Sequence, residues 1–210
     1  MNRRTGIILA GGAAERFGCD KGLLELDGKP LVRHVFDRIK DQVDEVIVVV
    51  SSNEQKRKYS KIFSAETKIQ TDIEKENCPL IGALTGFANA EGVYSVLLPC
   101  DAPFISKDVI ELLFEASSNV DATIPRWPNG YIEPLQAVYH TRSALSAAEE
   151  AVMNGKRRMQ SMISLLHGIR YLSTLVLREI DSDLLTFFNV NTPIDLKRAS
   201  RIIKNRKIHP

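Results

Sequence analysis

The chain has 210 residues, 44% apolar and 26% charged, with a formal net charge of +2. This is the profile of a soluble globular protein of one domain, or one domain with a small insertion, long enough to bury a full sheet between helices. The near-neutral balance excludes bulk electrostatic attraction to nucleic acid, so any anion site must come from local placement of Arg and Lys. Cys19, Cys78 and Cys100 show no C-x-x-C spacing. That fits a reducing compartment and argues against structural zinc. The opening Met-Asn-Arg-Arg precedes an apolar run too short for a signal segment or a membrane span. The expected location is the cytoplasm, with neither membrane nor nucleic acid as partner.

Strand and helix signals alternate along the chain. Gly6 to Ala10 is an apolar run stopped by glycine, as in a buried parallel strand. Pro30 opens a helix carrying Leu31, Val32, Val35, Phe36 and Ile39 at helical spacing. Glu45 to Val50 and Lys68 to Asp72 predict two more strands, and Leu80 to Ala90 a helix. Ser95 to Cys100 is a strand ending at Asp101, and Ser106 caps the helix of Val109, Leu112, Leu113 and Ala116. Asp121 to Pro125 and Leu135 to Tyr139 predict strands around the turn Pro128-Asn129-Gly130. Helices follow over Arg142 to Met153 and Lys156 to Leu166, then a strand over Ile169 to Leu177. Leu184 to Val190 reads as an apolar extended run, and Thr192-Pro193-x-Asp195 opens a last helix whose basic tail frays from Arg201. This alternation predicts a three-layer α/β/α fold with a mostly parallel, Rossmann-like sheet. The loops after Ala10, Val50, Gln70 and Cys100 then share the carboxyl edge of the sheet, where open α/β sheets bind ligands.

The first of those loops has the most chemistry. Gly11 and Gly12 allow a tight turn and close approach of main-chain N–H groups to a phosphate or base. Arg16 and Lys21 add fixed positive charge suited to a polyphosphate. Neither G-x-x-x-x-G-K-[ST] nor G-x-G-x-x-G occurs here, so the better-known glycine loops do not match. An ordinary strand-to-helix turn with a solvated Arg and Lys is the competing interpretation. His34, His140, His167 and His209 fall in no metal or triad spacing, and no serine sits in G-x-S-x-G.

Leu9-Ala10-Gly11-Gly12, Glu15-Arg16-Phe17-Gly18, Asp20-Lys21 and Gly28-Lys29-Pro30-Leu31 together resemble the opening of the nucleotidyltransferases that make nucleoside-diphosphate conjugates. Three later stretches narrow the resemblance to the molybdenum cofactor guanylyltransferases. They are Pro79-Leu80-Ile81-Gly82-Ala83, Leu98-Pro99-Cys100-Asp101-Ala102-Pro103-Phe104 and Asn189-Val190-Asn191-Thr192-Pro193. The blocks span nearly the whole chain in order. The resemblance implies the nucleotide-diphospho-sugar-transferase-like fold over residues 1–210. The nucleotide-binding half would cover about residues 1–105 and the acceptor-binding half about 106–204.

It also implies transfer of GMP from GTP to the phosphate of a molybdopterin-type cofactor, with release of pyrophosphate. Such a reaction crowds anions, so it needs cations and rigid positioning, and a divalent ion can clamp the α-phosphate and the leaving group. Asp101 is the candidate Mg2+ ligand; on position alone it is equally a turn cap. Lys21 and Arg16 are the candidate catalytic cations on the triphosphate. Asp20 either orients Lys21 or is a solvated loop acid. Leu9, Ala10, Gly11 and Gly12 would present main-chain groups to the nucleotide. Asp72 would contact it, at the sugar, or else merely start a turn, and Asn53 is an approximate match to a base-contacting asparagine. Asn189 and Asn191, flanking Val190 on an extended segment, would project to one face and read the acceptor, or else satisfy backbone groups in the turn. Arg157 and Arg158 are either an acceptor-phosphate site or a solvated basic face.

Molybdoenzymes or their chaperones are the expected recipients of the product. The rivals are a transferase using CTP or a sugar or alcohol phosphate acceptor, and a non-catalytic nucleotide-binding protein. A Rossmann dehydrogenase is weakened by the missing fingerprint.

Overall fold

The computed structural model describes residues 3–11, 13–14, 19–65, 67–73 and 78–208. Among these, seven strands form one sheet: β1 (Arg4–Leu9), β2 (Glu45–Val50), β3 (Lys68–Thr71), β4 (Tyr94–Pro99), β5 (Ala122–Arg126), β6 (Ala137–His140) and β7 (Ile169–Ser173). Their order is β7-β5-β6-β4-β1-β2-β3. β6 runs against both neighbours and all other pairings are parallel. The helices are α1 (Leu31–Ile39), α2 (Asn53–Tyr59), α3 (Pro79–Asn89), α4 (Lys107–Glu115), α5 (Thr141–Met153), α6 (Met159–Ile163), α7 (Thr174–Leu177) and α8 (Pro193–Ile208). None among the described residues is long and apolar enough to cross a membrane.

The three layers follow from the period of two along each strand. Ile8, Val48, Val50, Val96 and Leu98 pack on one face against Val32, Val35 and Ile39 of α1 and Val109, Ile110 and Leu113 of α4. Ile7, Ile47, Val49 and Leu97 point the other way, into α3 and the alanine stripe Ala144, Ala147, Ala148 and Ala151 of α5. Each fully buried Val, Ile or Leu contributes about 1.5–3 kcal/mol, which fixes the register of the central strands. A smaller cluster of Leu26, Leu31, Phe104, Leu185, Val190 and Ala199 seats α8.

Leu9 lies beside both Val49 and Pro99, and Val50 beside Thr71. The loops starting at Gly11, Ser51, Asp72 and Asp101 therefore leave the sheet at one level. Strand order reverses between β1 and β4, the switch point at which such sheets bind ligands.

Several elements differ from the sequence expectation. Leu184 to Val190 is no extended run: Leu184 is left-handed (φ 49°) and Leu185–Phe187 form a 3-10 turn. The cause is Asp181, whose buried carboxylate accepts from Leu185 N at 3.2 Å and Thr186 N at 2.8 Å. The strand expected over Ile169 to Leu177 stops at Ser173, whose hydroxyl caps α7 by accepting from Leu175 N. The helix expected over Lys156 to Leu166 shrinks to α6, because Gly155 (φ 70°) turns the chain out of α5 and Arg158 is still extended. α8 runs on to Ile208 instead of fraying at Arg201, held by Ile202 and Ile203 against the third cluster. α2 was not anticipated, although Ser52-x-x-Gln55 is a capping-box signal and Ser52 Oγ does accept from Gln55 N at 3.2 Å.

Candidate active site

A cleft of about 250 Å³ opens at the switch point. It is lined by Leu9, Ala10 and Gly11 at the end of β1, by Pro99, Cys100 and Asp101 at the end of the adjacent β4, and by Lys21. Cys78, Pro79 and Gly82 at the start of α3 close one side, with Asp72 beside them. Gly11 is needed here because a Cβ would lie 3.1 Å from Asp72 Oδ2 and 3.2 Å from Ser51 N. Gly12 and Arg16, expected at the nucleotide, lie outside the described residues.

Asp101 is 8% exposed. Its backbone is pinned on both sides: Cys100 N donates to Leu9 O at 3.0 Å and Val190 N to Asp101 O at 2.9 Å. Oδ2 pairs with the Lys21 ammonium, while Oδ1 is buried with no hydrogen-bond partner among the described residues. A buried carboxylate oxygen without a donor is costly unless a ligand or cation completes it. Among the described residues no three His, Cys, Asp or Glu side chains group around a common point. Two carboxylates, Asp72 and Asp101, line the cleft, and so small a set suits magnesium, which takes few protein ligands and keeps water and phosphate oxygens.

Lys21 sits in the 3-10 turn Lys21–Leu23, which Asp20 caps by accepting from Gly22 N at 3.1 Å. Its ammonium donates to Asp101 Oδ2 and, at 2.6 Å, to Asn191 Oδ1. Asp20 is thus neither a solvated acid nor a direct partner of the Lys21 ammonium; it fixes the turn that carries Lys21.

Asp72 follows β3 at the same edge, and its Oδ1 is likewise buried without a partner among the described residues. Burial pushes its carboxyl up to about 6. The nearby Thr85 hydroxyl offsets little of this, since it donates to Ile81 O at 3.0 Å. Cys100 lines the cleft as a neutral thiol, since burial pushes its pKa far up.

The two asparagines do not share a face. With the 3-10 turn before them, Asn191 Oδ1 turns to Lys21 and Asn189 Oδ1 accepts from the buried Gln136 Nε2 at 3.4 Å. Asn53 begins α2, is exposed, and accepts from Thr71 Oγ1 at 3.4 Å; it is not among the residues lining the cleft. Ser51, two residues earlier, is the one beside Gly11. Arg157 donates to Val152 O and Lys156 O at the end of α5, a capping role, and Arg158 is exposed. Gln136 lies in Glu133-Pro134-Leu135-Gln136, which the resemblance puts on the acceptor side without a catalytic role, and Ser51 opens the stretch Ser51-Ser52-Asn53, of which the resemblance singles out only Asn53.

The MobA-like NTP transferase domain model matches residues 6–170. A Methanosarcina mazei protein named probable molybdenum cofactor guanylyltransferase is 34% identical over 199 residues, covering 92% of this chain and 88% of its own. A Desulfosudis oleivorans protein named molybdenum cofactor guanylyltransferase is 30% identical, covering 99% of this chain and all of its own. The crystal structure of molybdopterin-guanine dinucleotide biosynthesis protein A from Archaeoglobus fulgidus superposes with a TM-score of 0.82 at 30% identity, covering 96% of this chain and 99% of the other.

Proposed function

Because the chain belongs to the MobA-like NTP transferase family, we propose that it transfers GMP from GTP to the phosphate of a molybdopterin-type cofactor, with Mg2+ and release of pyrophosphate. The observation that carries this reading is the Asp101–Lys21 pair at the cleft, a carboxylate with one buried oxygen unpartnered among the described residues and an ammonium in contact with the other. An acceptor phosphate oxygen attacks the α-phosphorus, that P–O bond forms, and the bond to the β-phosphate oxygen breaks with its electrons leaving on pyrophosphate. The acceptor is already an anion at neutral pH, so no protein nucleophile or base is required.

The work of the chain is positioning and charge compensation. Asp101 would hold the magnesium ion, which supplies Lewis-acid charge to the phosphate oxygens. Lys21, joined by Arg16, neutralises charge on the departing pyrophosphate. Leu9, Ala10, Gly11 and Gly12 face the nucleotide with main-chain groups, and Asp72 takes a donor from its sugar or base. Residues 106–204, with Asn189 foremost, form the acceptor half, and molybdoenzymes or their chaperones receive the product. Asn53 does not line the cleft and has no part in this scheme.

Pyrophosphate release measured with GTP, CTP, ATP and UTP side by side, with Mg2+ and the molybdopterin acceptor, tests the proposal. Turnover with GTP alone is expected, and Asp101→Asn should lower it about 100-fold or more while the protein stays folded. Turnover with CTP instead would change the product, and near-normal turnover of Asp101→Asn would remove Asp101 from the chemistry.

A further inference from the structure

The segment preceding Lys21 is held by more than an ordinary turn needs. Asp20 faces three donors: Gly22 N at 3.1 Å, Tyr59 Oη at 2.8 Å and Gln55 Nε2 at 2.8 Å. Tyr59 and Gln55 stand four residues apart on α2, so they share one helix face. Gln55 is used at both ends of its amide, since its Oε1 accepts from Ser51 N and Ser51 Oγ, each at 2.8 Å. Ser51 N in turn packs where a Cβ on Gly11 would sit, 3.2 Å away. A continuous bridge therefore runs from Gly11 through Ser51, Gln55 and Asp20 to the turn of Lys21.

The bridge is tight. Tyr59 is fully buried, and a Cβ on Gly22 would collide with its hydroxyl, so the turn lies directly on α2. Burial holds the phenol protonated at any working pH, so it is always a donor to Asp20. For packing alone a phenylalanine would serve at this place, without a polar atom to satisfy. The hydroxyl has instead a partner on the residue next to Lys21.

We propose that Tyr59 and Gln55 are positioning residues that hold Asp20 and thereby keep the Lys21 ammonium at Asp101 and Asn191, with Gln55 coupling that placement to the Ser51 loop beside Gly11. This rests on the reading that Lys21 acts on the triphosphate. The bridge makes occupancy beside Gly11 and the position of Lys21 interdependent, because a shift of Ser51 moves Gln55 and with it Asp20.

A double-mutant cycle tests the idea. Tyr59→Phe keeps the ring and removes one donor. It should lower kcat for pyrophosphate release about 10-fold and leave KM for GTP within about 2-fold, since misplacing a reacting group by a fraction of an ångström costs rate. In a Lys21→Ala background the same change should alter kcat less than about 2-fold. Equal loss in both backgrounds, or no loss in the wild type, overturns the proposal. A second readout is independent of turnover. The rate at which an acetylating reagent modifies Lys21, followed by mass spectrometry, should rise several-fold in Tyr59→Phe and in Gln55→Leu; an unchanged rate also overturns it. If Lys21→Ala alone left turnover intact, the role given to Lys21 in the reaction would fail, and the labelling rate would still decide whether Tyr59 and Gln55 place it.

Discussion

Two carboxylates at the edge of the cleft, Asp72 and Asp101, each have one oxygen, Oδ1, without a partner among the described residues, and they differ in what compensates them. Asp101 has the Lys21 ammonium beside it; Asp72 has no cation paired with it among the described residues, and burial lifts its carboxyl to about 6. A nucleotide that donates a hydrogen bond to Asp72 favours its charged form and draws the pKa back down. Binding therefore releases a proton near pH 6, and GTP affinity should tighten as pH rises from 5 to 7, then level off. Titration calorimetry in buffers of different ionisation enthalpy reads that proton directly, and Asp72→Asn should abolish it. A proton uptake, or no linkage at all, would place Asp72 outside the contact. At the same scale the two asparagines divide: Asn191→Ala should lower kcat about 10-fold by loosening Lys21, whereas Asn189→Ala should raise KM for the acceptor and leave GTP binding unchanged. Equal effects of both variants on acceptor KM would restore a shared acceptor role.

The elements bearing these residues were legible where burial alone shapes them. β1, β2 and β4 are apolar runs with a glycine, a serine pair or an aspartate at the end, and their register brings Gly11, Ser51 and Asp101 to one edge as the alternation implied. Lys21 stood out by its charge in the glycine loop and Asp101 chiefly by the resemblance, and the two form an ion pair at the cleft. Part of what stayed hidden depends on partners distant in sequence: Gln55 and Tyr59 take their meaning from Asp20, 35 and 39 residues away. The curl at Leu184 is local by contrast, made by Asp181 just before it, and the apolar run masked that capping aspartate. The approach of α3 to the sheet again depends on distant partners. Gly86 lies so close to Ile7 that an added Cβ would overlap the Ile7 side chain, and Gly82 faces Leu9 at 3.2 Å. Gly86→Ala should therefore destabilise the fold by about 1–3 kcal/mol, despite the higher helix propensity of alanine. Because α3 carries the cleft wall of Cys78, Pro79 and Gly82, it should also weaken GTP binding. Urea unfolding and calorimetry check the two effects, and a stabilised variant would mean that Ile7 gives way at no cost.

Across the whole molecule the two edges of the sheet are treated in opposite ways. At the carboxyl edge Asp72 Oδ1 and Asp101 Oδ1 lack a partner among the described residues, whereas the amino edge, Gln42 Oε1 apart, is tied together by ion pairs and hydrogen bonds. Glu45 accepts from Thr5 Oγ1 at 2.6 Å, Glu91 N at 2.6 Å and Lys68 Nζ at 2.7 Å, joining β1, β2, β3 and the turn before β4. Lys68 also reaches Glu91, which pairs with Arg3. Burial by itself would raise the Glu45 carboxyl, and the hydrogen bonds from Lys68, Thr5 and the Glu91 amide outweigh it, so its pKa falls below the usual 4.5. The sign follows from linkage. A carboxyl depressed in the folded state adds stability above its unfolded pKa, and that contribution disappears as pH falls through the folded value. Glu45→Gln, which removes the charge and one acceptor, should cost about 1–3 kcal/mol at pH 7. The gap to wild type should narrow steadily below pH 4.5. Since the network lies at the edge away from the cleft, turnover per folded molecule should be unchanged. Urea midpoints at pH 7, 5 and 3.5 for both proteins decide it: a gap of constant size would mean that shape, and not the carboxylate charge, is what Glu45 contributes.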